Sequence, residues 1–194
     1  MQAAVSSDGK GCTVMRRLSL MLMLTLVLAS LFVPQAASAQ AGCGLGGGRV
    51  NWIDSNANNH LISAELGWDG RLRARATAVG PWEKFTFVCL DGANDIYAIR
   101  SVANGRYVSA ELGWGGNDYG MLRARATSIG PWERFRVRST GGGPSITWTI
   151  QSMANSRYVS SEIGWTGDRY GMLRARATAI GPWERFVIVC CSSA

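Results

Sequence analysis

One phrase, Gly-Pro-Trp-Glu followed by a basic residue and Phe, is written three times: GPWEKF at 80–85 and GPWERF at 130–135 and 181–186. Its tryptophans, Trp82, Trp132 and Trp183, stand 50 and then 51 residues apart. A catalytic motif has little reason to be triplicated in one small domain. A fold with internal threefold symmetry repeats every local instruction three times. The likeness extends along the whole period. WIDSNANNHLISAELGW, AIRSVANGRYVSAELGW and TIQSMANSRYVSSEIGW correspond position by position, and RLRARATAVGPWEKF, MLRARATSIGPWERF and MLRARATAIGPWERF follow them. Between the blocks, copies two and three carry GGNDYG and TGDRYG where copy one has only DG.

Each copy reads as four short strands. The first ends at Ile53, Ile99 or Ile150, and a turn follows at ANN, ANG or ANS, where Asn and Gly tolerate positive φ. The second is HLISAE or RYVSAE, with alternating character. In the third, LRARA, Leu72, Ala74 and Ala76 point one way and Arg73 and Arg75 the other. The fourth begins at the Trp-Glu pair and runs through FTFVC, FRVRS or FVIVC. Beyond the N-terminal region no segment has a sustained helical period. Twelve strands in three units of four is the count of an all-β fold, the β-trefoil, in which six strands close a barrel and three hairpins cap it. Closure leaves no open sheet edge. A three-bladed propeller has the same count, but propellers begin at about four blades. The repeats span about 50–92, 93–142 and 143–194.

A chain of 194 residues, 47% of them hydrophobic, suits one well-packed domain. Part of that apolar content lies outside the repeats. Arg16 and Arg17, the apolar run Leu18 to Val33, and Ala37-Ser38-Ala39 describe a secretory signal peptide over residues 1–39, with Met15 as the translation start. The run falls short of the ~20 residues a membrane span needs. A lipid-attachment reading of Cys43 fits poorly with Gln40, where such signals carry an aliphatic residue. A Gly-rich segment, 40–49, then leads into the trefoil. The expectation is a secreted, monomeric protein, with the periplasm as the other destination. After cleavage Cys43, Cys89, Cys190 and Cys191 remain, and four cysteines in an exported domain suggest two disulfides. A closed trefoil brings its ends together at the barrel base, so Cys43 is expected to pair with Cys190 or Cys191. With no CxxC and a single histidine, neither a metal site nor a cofactor is expected. Cleavage removes Lys10, Arg16, Arg17 and Asp8, leaving 17 basic against 12 acidic side chains, a net +5. That mild basicity is compatible with an acidic polysaccharide or with nucleic acid without demanding either, and in an exported protein without a long basic run nucleic acid is the weaker partner.

The pattern RYVSAE…LRARAT…IGPWERF resembles the fascin-like β-trefoil domains of secreted bacterial proteins, and the resemblance covers Val50 to Val189. It is also similar to trivalent trefoil carbohydrate-binding modules that recognise β-linked glucans through tryptophan and glutamate, one site per repeat. The first resemblance implies the fold and, as a rival function, a protein-crosslinking or actin-binding role, against which the signal peptide speaks. The second implies a polysaccharide ligand, with β-glucan as the expected class. A hydrolase or protease inhibitor is a third reading, but one protruding loop serves that purpose and three matched repeats do not favour it.

The residues themselves bear on the same choice. His60 corresponds to Arg106 and Arg157 in the sister repeats, which suits a turn residue better than a catalytic base. Glu65 with Glu83, Glu111 with Glu133, and Glu162 with Glu184 could each supply the two carboxylates of a glycosidase. Three identical pairs, however, argue for binding over catalysis, since an enzyme commits one unequal pair in one cleft. Six of the eight tryptophans are triplicated: Trp82, Trp132 and Trp183, and the loop set Trp68, Trp114 and Trp165. An indole face stacks on the apolar face of a pyranose while a neighbouring carboxylate accepts hydroxyl hydrogens. The competing role for both sets is to staple a hairpin or seal the barrel base. The pairs Arg73 and Arg75, Arg123 and Arg125, and Arg174 and Arg176 line the outward face of the third strand. They read as an ordinary solvated face, as hydrogen-bonding walls beside the tryptophans or as a charged track for an anionic polymer. Arg75, Arg125 and Arg176 complete the candidate set. Phe85, Phe135 and Phe186 are expected in the core.

Overall fold

The structure is a computed structural model and describes residues 44–140 and 146–190. The signal peptide over 1–39 with its start at Met15, the beginning of the Gly-rich segment with Cys43, and Cys191 lie outside the described residues. The chain divides into two units, Met1–Ala39 and Gln40–Ala194, and all that follows concerns the second.

Repeat one forms β1 (Val50–Ser55), β2 (His60–Glu65), β3 (Arg71–Ala76) and β4 (Phe85–Asp91). Repeat two forms β5 (Ile96–Ser101), β6 (Tyr107–Glu111), β7 (Met121–Ala126) and β8 (Phe135–Thr140). Repeat three forms β9 (Thr147–Ser152), β10 (Tyr158–Glu162), β11 (Met172–Ala177) and β12 (Phe186–Cys190). Antiparallel pairing closes β1, β4, β5, β8, β9 and β12, in that order, into a ring. The hairpins β2–β3, β6–β7 and β10–β11 cap it. Their inner strands meet pairwise around one axis, β3 with β7, β7 with β11, β11 with β3. This is the β-trefoil that the repeat count implies.

Alternation explains the core. Phe85, Phe135 and Phe186 are fully buried, joined by Ile53, Ile99 and Ile150 from the first strands, Ile62, Val108 and Val159 from the second, and Leu72, Leu122 and Leu173 from the third. The fourth strand starts later than the sequence suggests. Pro-Trp-Glu is a 3-10 turn in each repeat, at Pro81–Glu83, Pro131–Glu133 and Pro182–Glu184, and the strand begins at the Phe. Proline sets the turn's first φ. The glutamate then reaches back, its Oε2 accepting the backbone N–H of Gly80, Gly130 or Gly181 at 2.7 Å. The first strands also run past their isoleucines to the buried Ser55, Ser101 and Ser152.

The repeats are locked to one another in a cyclic pattern that involves the first arginine of each LRARA. Arg73, Arg123 and Arg174 are only 4%, 7% and 5% exposed, so the expected solvated strand face is covered at these positions. Each reaches into the neighbouring repeat's connection. Nε of Arg73 donates to the carbonyl of Tyr170, Nε of Arg123 to that of Asp69, and Nε of Arg174 to that of Tyr119, at 2.9–3.1 Å. Backbone bonds of 2.7 Å run beside them, from the N–H of Ala74, Ala124 and Ala175 to the carbonyls of Gly171, Gly70 and Gly120. Side-chain amides of Asn58, Asn104 and Asn155 cap the carbonyls of the same three alanines at 2.9 Å. Burial lowers the pKa of Arg123 and Arg174, whose acidic neighbours only partly offset the loss of water.

Candidate functional site

Repeat two shows how a site is built. Glu111 closes β6 with its carboxylate fully buried, and Arg125, 47% exposed, lies over it with Nε at 2.5 Å and Nη2 at 2.6 Å. The register explains the reach. Tyr107 faces Ala126 and Val108 faces Ala124, so Arg125 is the extra residue of a β-bulge, and a bulge re-aims its side chain. Arg75 and Arg176 occupy the same bulge in their own hairpins. Glu162 takes Nε and Nη2 of Arg176, the latter at 2.8 Å. Glu65 takes Nε of Arg75, and Nη1 of Arg73 at 3.4 Å. Hydrogen bonding to these carboxylates raises the pKa of Arg125 and Arg176 and keeps both guanidinium groups charged.

The Pro-Trp-Glu turn packs on the second strand of its own repeat, against β2, β6 or β10. Glu83, Glu133 and Glu184 are buried beneath it, and the charges of Glu133 and Glu184 are felt at Arg125 and Arg176. Trp82 and Trp132 are 41% and 40% exposed, and Trp183 is half-buried. A Cβ on Gly113 would stand 3.5 Å from Cη2 of Trp132, and one on Gly164 3.1 Å from Cη2 of Trp183. Glycine therefore lets the indole lie against the backbone of the loop. Each repeat thus carries a partly exposed indole, a partly exposed guanidinium and two buried carboxylates, and in repeats two and three the charge of the turn's glutamate is felt at that guanidinium.

The loop tryptophans have a different setting. Each holds an arginine over its ring: Arg71 over Trp68 at 5.4 Å, Arg123 over Trp114 at 4.9 Å, Arg174 over Trp165 at 5.2 Å. For Trp114 and Trp165 the contact ties one indole face to an arginine of the inter-repeat lock, whereas Trp68 is covered by Arg71, which is outside it. Beside Arg125, Leu66, Asp69 and Gly70 of repeat one and Asn104, Arg106 and Arg123 of repeat two line an open cleft of about 390 Å³.

Cys89 is disulfide-bonded, with its partner outside the described residues. Cys190, counted in the sequence among the bridged cysteines, is instead an exposed free thiol whose Sγ lies 2.8 Å from Oδ1 of Asn51. The β1–β12 register sets Cys190 directly opposite Asn51, whose side chain engages the sulfur. Cys43 therefore does not pair with Cys190. His60 starts β2, half-buried, and its Nδ1 has no hydrogen-bond partner among the described residues. Among the described residues there is no cluster of side chains fit to hold a metal ion, and no helix long and apolar enough to cross a membrane. The sequence places Arg73, Arg123 and Arg174 on an outward face, where the structure buries them between repeats, and it does not single out the turn asparagines that cap the same strands. All are triplicated, and that was the available signal.

No family model matches the chain, and no curated protein matches it by sequence. Solved structures do match. A designed threefold-symmetric protein, ThreeFoil, superposes with a TM-score of 0.60 at 12% identity, over 72% of this chain and 97% of that one. The Macrolepiota procera ricin B-like lectin in complex with lactose gives 0.53 at 16%, over 74% and 96%. The exo-β-1,3-galactanase 1,3Gal43A from Clostridium thermocellum gives 0.60 at 15%, over 73% of this chain and 30% of that chain. At such identities the likeness is one of fold.

Proposed function

We propose that this protein is an exported, non-catalytic, lectin-like binder of polysaccharide, β-glucan being the favoured class, with one site per repeat. The observation that carries the reading is the recurrence, once in each repeat, of a partly exposed indole and a partly exposed, carboxylate-anchored guanidinium. Trp82, Trp132 and Trp183 are the stacking platforms, and Arg75, Arg125 and Arg176 offer their remaining N–H groups to sugar hydroxyls. Glu65, Glu111 and Glu162 orient those arginines from below. Glu83, Glu133 and Glu184 hold the turn that presents the indole. Because every one of the six carboxylates already has a charged or backbone partner, none is disposed as the free acid or base of hydrolysis. Trp114 and Trp165 serve the inter-repeat lock with one face, Trp68 holds Arg71 in the same way, and all three leave a secondary role in ligand contact to the other face. That a trefoil of the same fold is a lectin in complex with lactose supports a carbohydrate ligand in general.

Calorimetry with a neutral β-glucan oligosaccharide tests the reading. Three sites per chain are expected, with no reducing sugar released on prolonged incubation. Absence of binding to any neutral glycan, or sustained release of sugar, would overturn it.

A further inference from the structure

The three barrel junctions share a backbone but differ in chemistry, and one stands apart. Where β8 meets β9, Arg136 faces Gln151 and Arg138 faces Thr149, and Gln151 is paired in turn with Tyr158 of β10. Residues two apart share a strand face. These five polar side chains together line a cavity of about 260 Å³. At the β4–β5 junction the same rows read Thr86, Arg100, Tyr107 and Val88, Ala98. At the β12–β1 junction they read Val187, Asp54, Leu61 and Val189, Trp52. Only the β8–β9 rows carry two guanidinium groups, and they carry no carboxylate.

The hydrogen bonding leaves one of those cations in need of a partner. Arg138 is paired with Asp95 at 2.9 Å. Arg136 has only two long bonds to neutral acceptors, 3.4 Å to the Asn94 carbonyl and 3.5 Å to Oε1 of Gln151, and forms no ion pair among the described residues. The Gln151 amide donates to the Ser156 carbonyl at 3.0 Å, and the Thr149 hydroxyl to that of Arg138 at 3.4 Å. Arg136 is thus the principal unsatisfied donor in the recess. A planar guanidinium so placed favours an oxyanion, which it can engage with two parallel N–H groups.

We infer that this recess is a single anion-binding site that takes the carboxylate of a uronic acid or the sulfate ester of a sugar. It is separate from the three tryptophan sites; the oxyanion follows from the recess itself, and only the sugar that carries it rests on the carbohydrate-binding reading. Uronate-bearing and sulfated oligosaccharides distinguish the two sources of charge, and the neutral oligosaccharide is the control. The variant Arg136→Thr/Arg138→Val places the sister repeats' own residues in these rows, and Arg136→Thr alone keeps the Arg138–Asp95 pair. By calorimetry at low salt, at least one of the two anionic oligosaccharides is expected to occupy one site more than the neutral one. Its affinity for that site falls at least about tenfold in both variants, the loss of charge-assisted hydrogen bonds. Affinity for the neutral oligosaccharide stays unchanged. Equal binding of both anionic probes by parent and variants, or no additional site with either, would overturn the inference. Loss of anionic binding in the variants of a protein that binds no neutral glycan would sustain this site and remove the tryptophan reading.

Discussion

Burial separates the aromatic residues of each repeat into two kinds. Phe135 is fully buried while Trp132, three positions earlier, keeps 40% of its surface in water. Truncating Phe135 to Ala opens a core cavity and is expected to cost about 3–5 kcal/mol. Trp132→Ala removes partial burial with no enclosed cavity, for about 1–3 kcal/mol, and leaves a cooperative fold. Urea unfolding of the two variants checks the order; a larger loss for Trp132 would make the indole a staple and not a platform. Asp54 offers a test of a different kind. The β1 register sets it opposite Val187 and Leu61, where its counterparts are Arg100 and Gln151. Burial there raises its pKa. A carboxyl whose folded-state pKa lies above its unfolded value penalises the fold once ionised, so stability is lost as pH rises through the folded value. Asp54→Asn is therefore expected to raise Tm at neutral pH, with the gain vanishing below about pH 3, where the carboxyl is protonated in both states. Thermal melts at the two pH values decide it.

The hairpins carry the same distinction at the level of elements, between what the repeat pattern states and what only packing reveals. Strand number, order and the buried phenylalanines were legible because alternation and triplication are local. The bulge at Arg75, Arg125 and Arg176 was not, since a one-residue register shift leaves LRARA looking like an unbroken alternating strand. Nor could the sequence show that Arg73, Arg123 and Arg174 reach into a neighbouring repeat, a contact between residues 54 to 97 positions apart. The lock makes its own prediction. Gly120 has φ of +75°, and an added Cβ would meet the Ala175 carbonyl oxygen at 2.7 Å, whereas Gly116, with φ of +60°, has nothing within 4 Å. Gly116→Ala meets only the left-handed backbone cost of about 1–2 kcal/mol. Gly120→Ala adds a steric displacement and is expected to lose about 2–5 kcal/mol. Equal losses in chemical denaturation would show that the hairpins do not depend on this close approach.

For the molecule as a whole, threefold symmetry is imperfect in a way that binding should report. Repeats two and three are alike: Trp132 and Trp183 lie against Gly113 and Gly164, and Arg125 and Arg176 grip their glutamates with two nitrogens each. Repeat one differs at every one of these points. Its short connection forms a 3-10 turn at Leu66–Trp68, a Cβ added at Gly67 would meet nothing within 4 Å, and Glu65 is divided between Arg75 and Arg73. Two guanidinium nitrogens on one carboxylate fix the arginine's orientation, while a shared carboxylate leaves it freer, and orientation decides what a sugar hydroxyl meets. The isotherm for a short β-glucan is therefore expected to resolve two equal sites and one distinct site. Trp82→Ala should abolish the distinct class alone, and Trp132→Ala or Trp183→Ala should each halve the majority class. Retention on an insoluble glucan should fall more steeply than site number in all three, because linked sites multiply affinity while sites themselves only add. Titration of the three variants against oligosaccharide and polymer separates the outcomes, and loss of the majority class on mutating Trp82 would show that the tryptophans do not serve their own repeats.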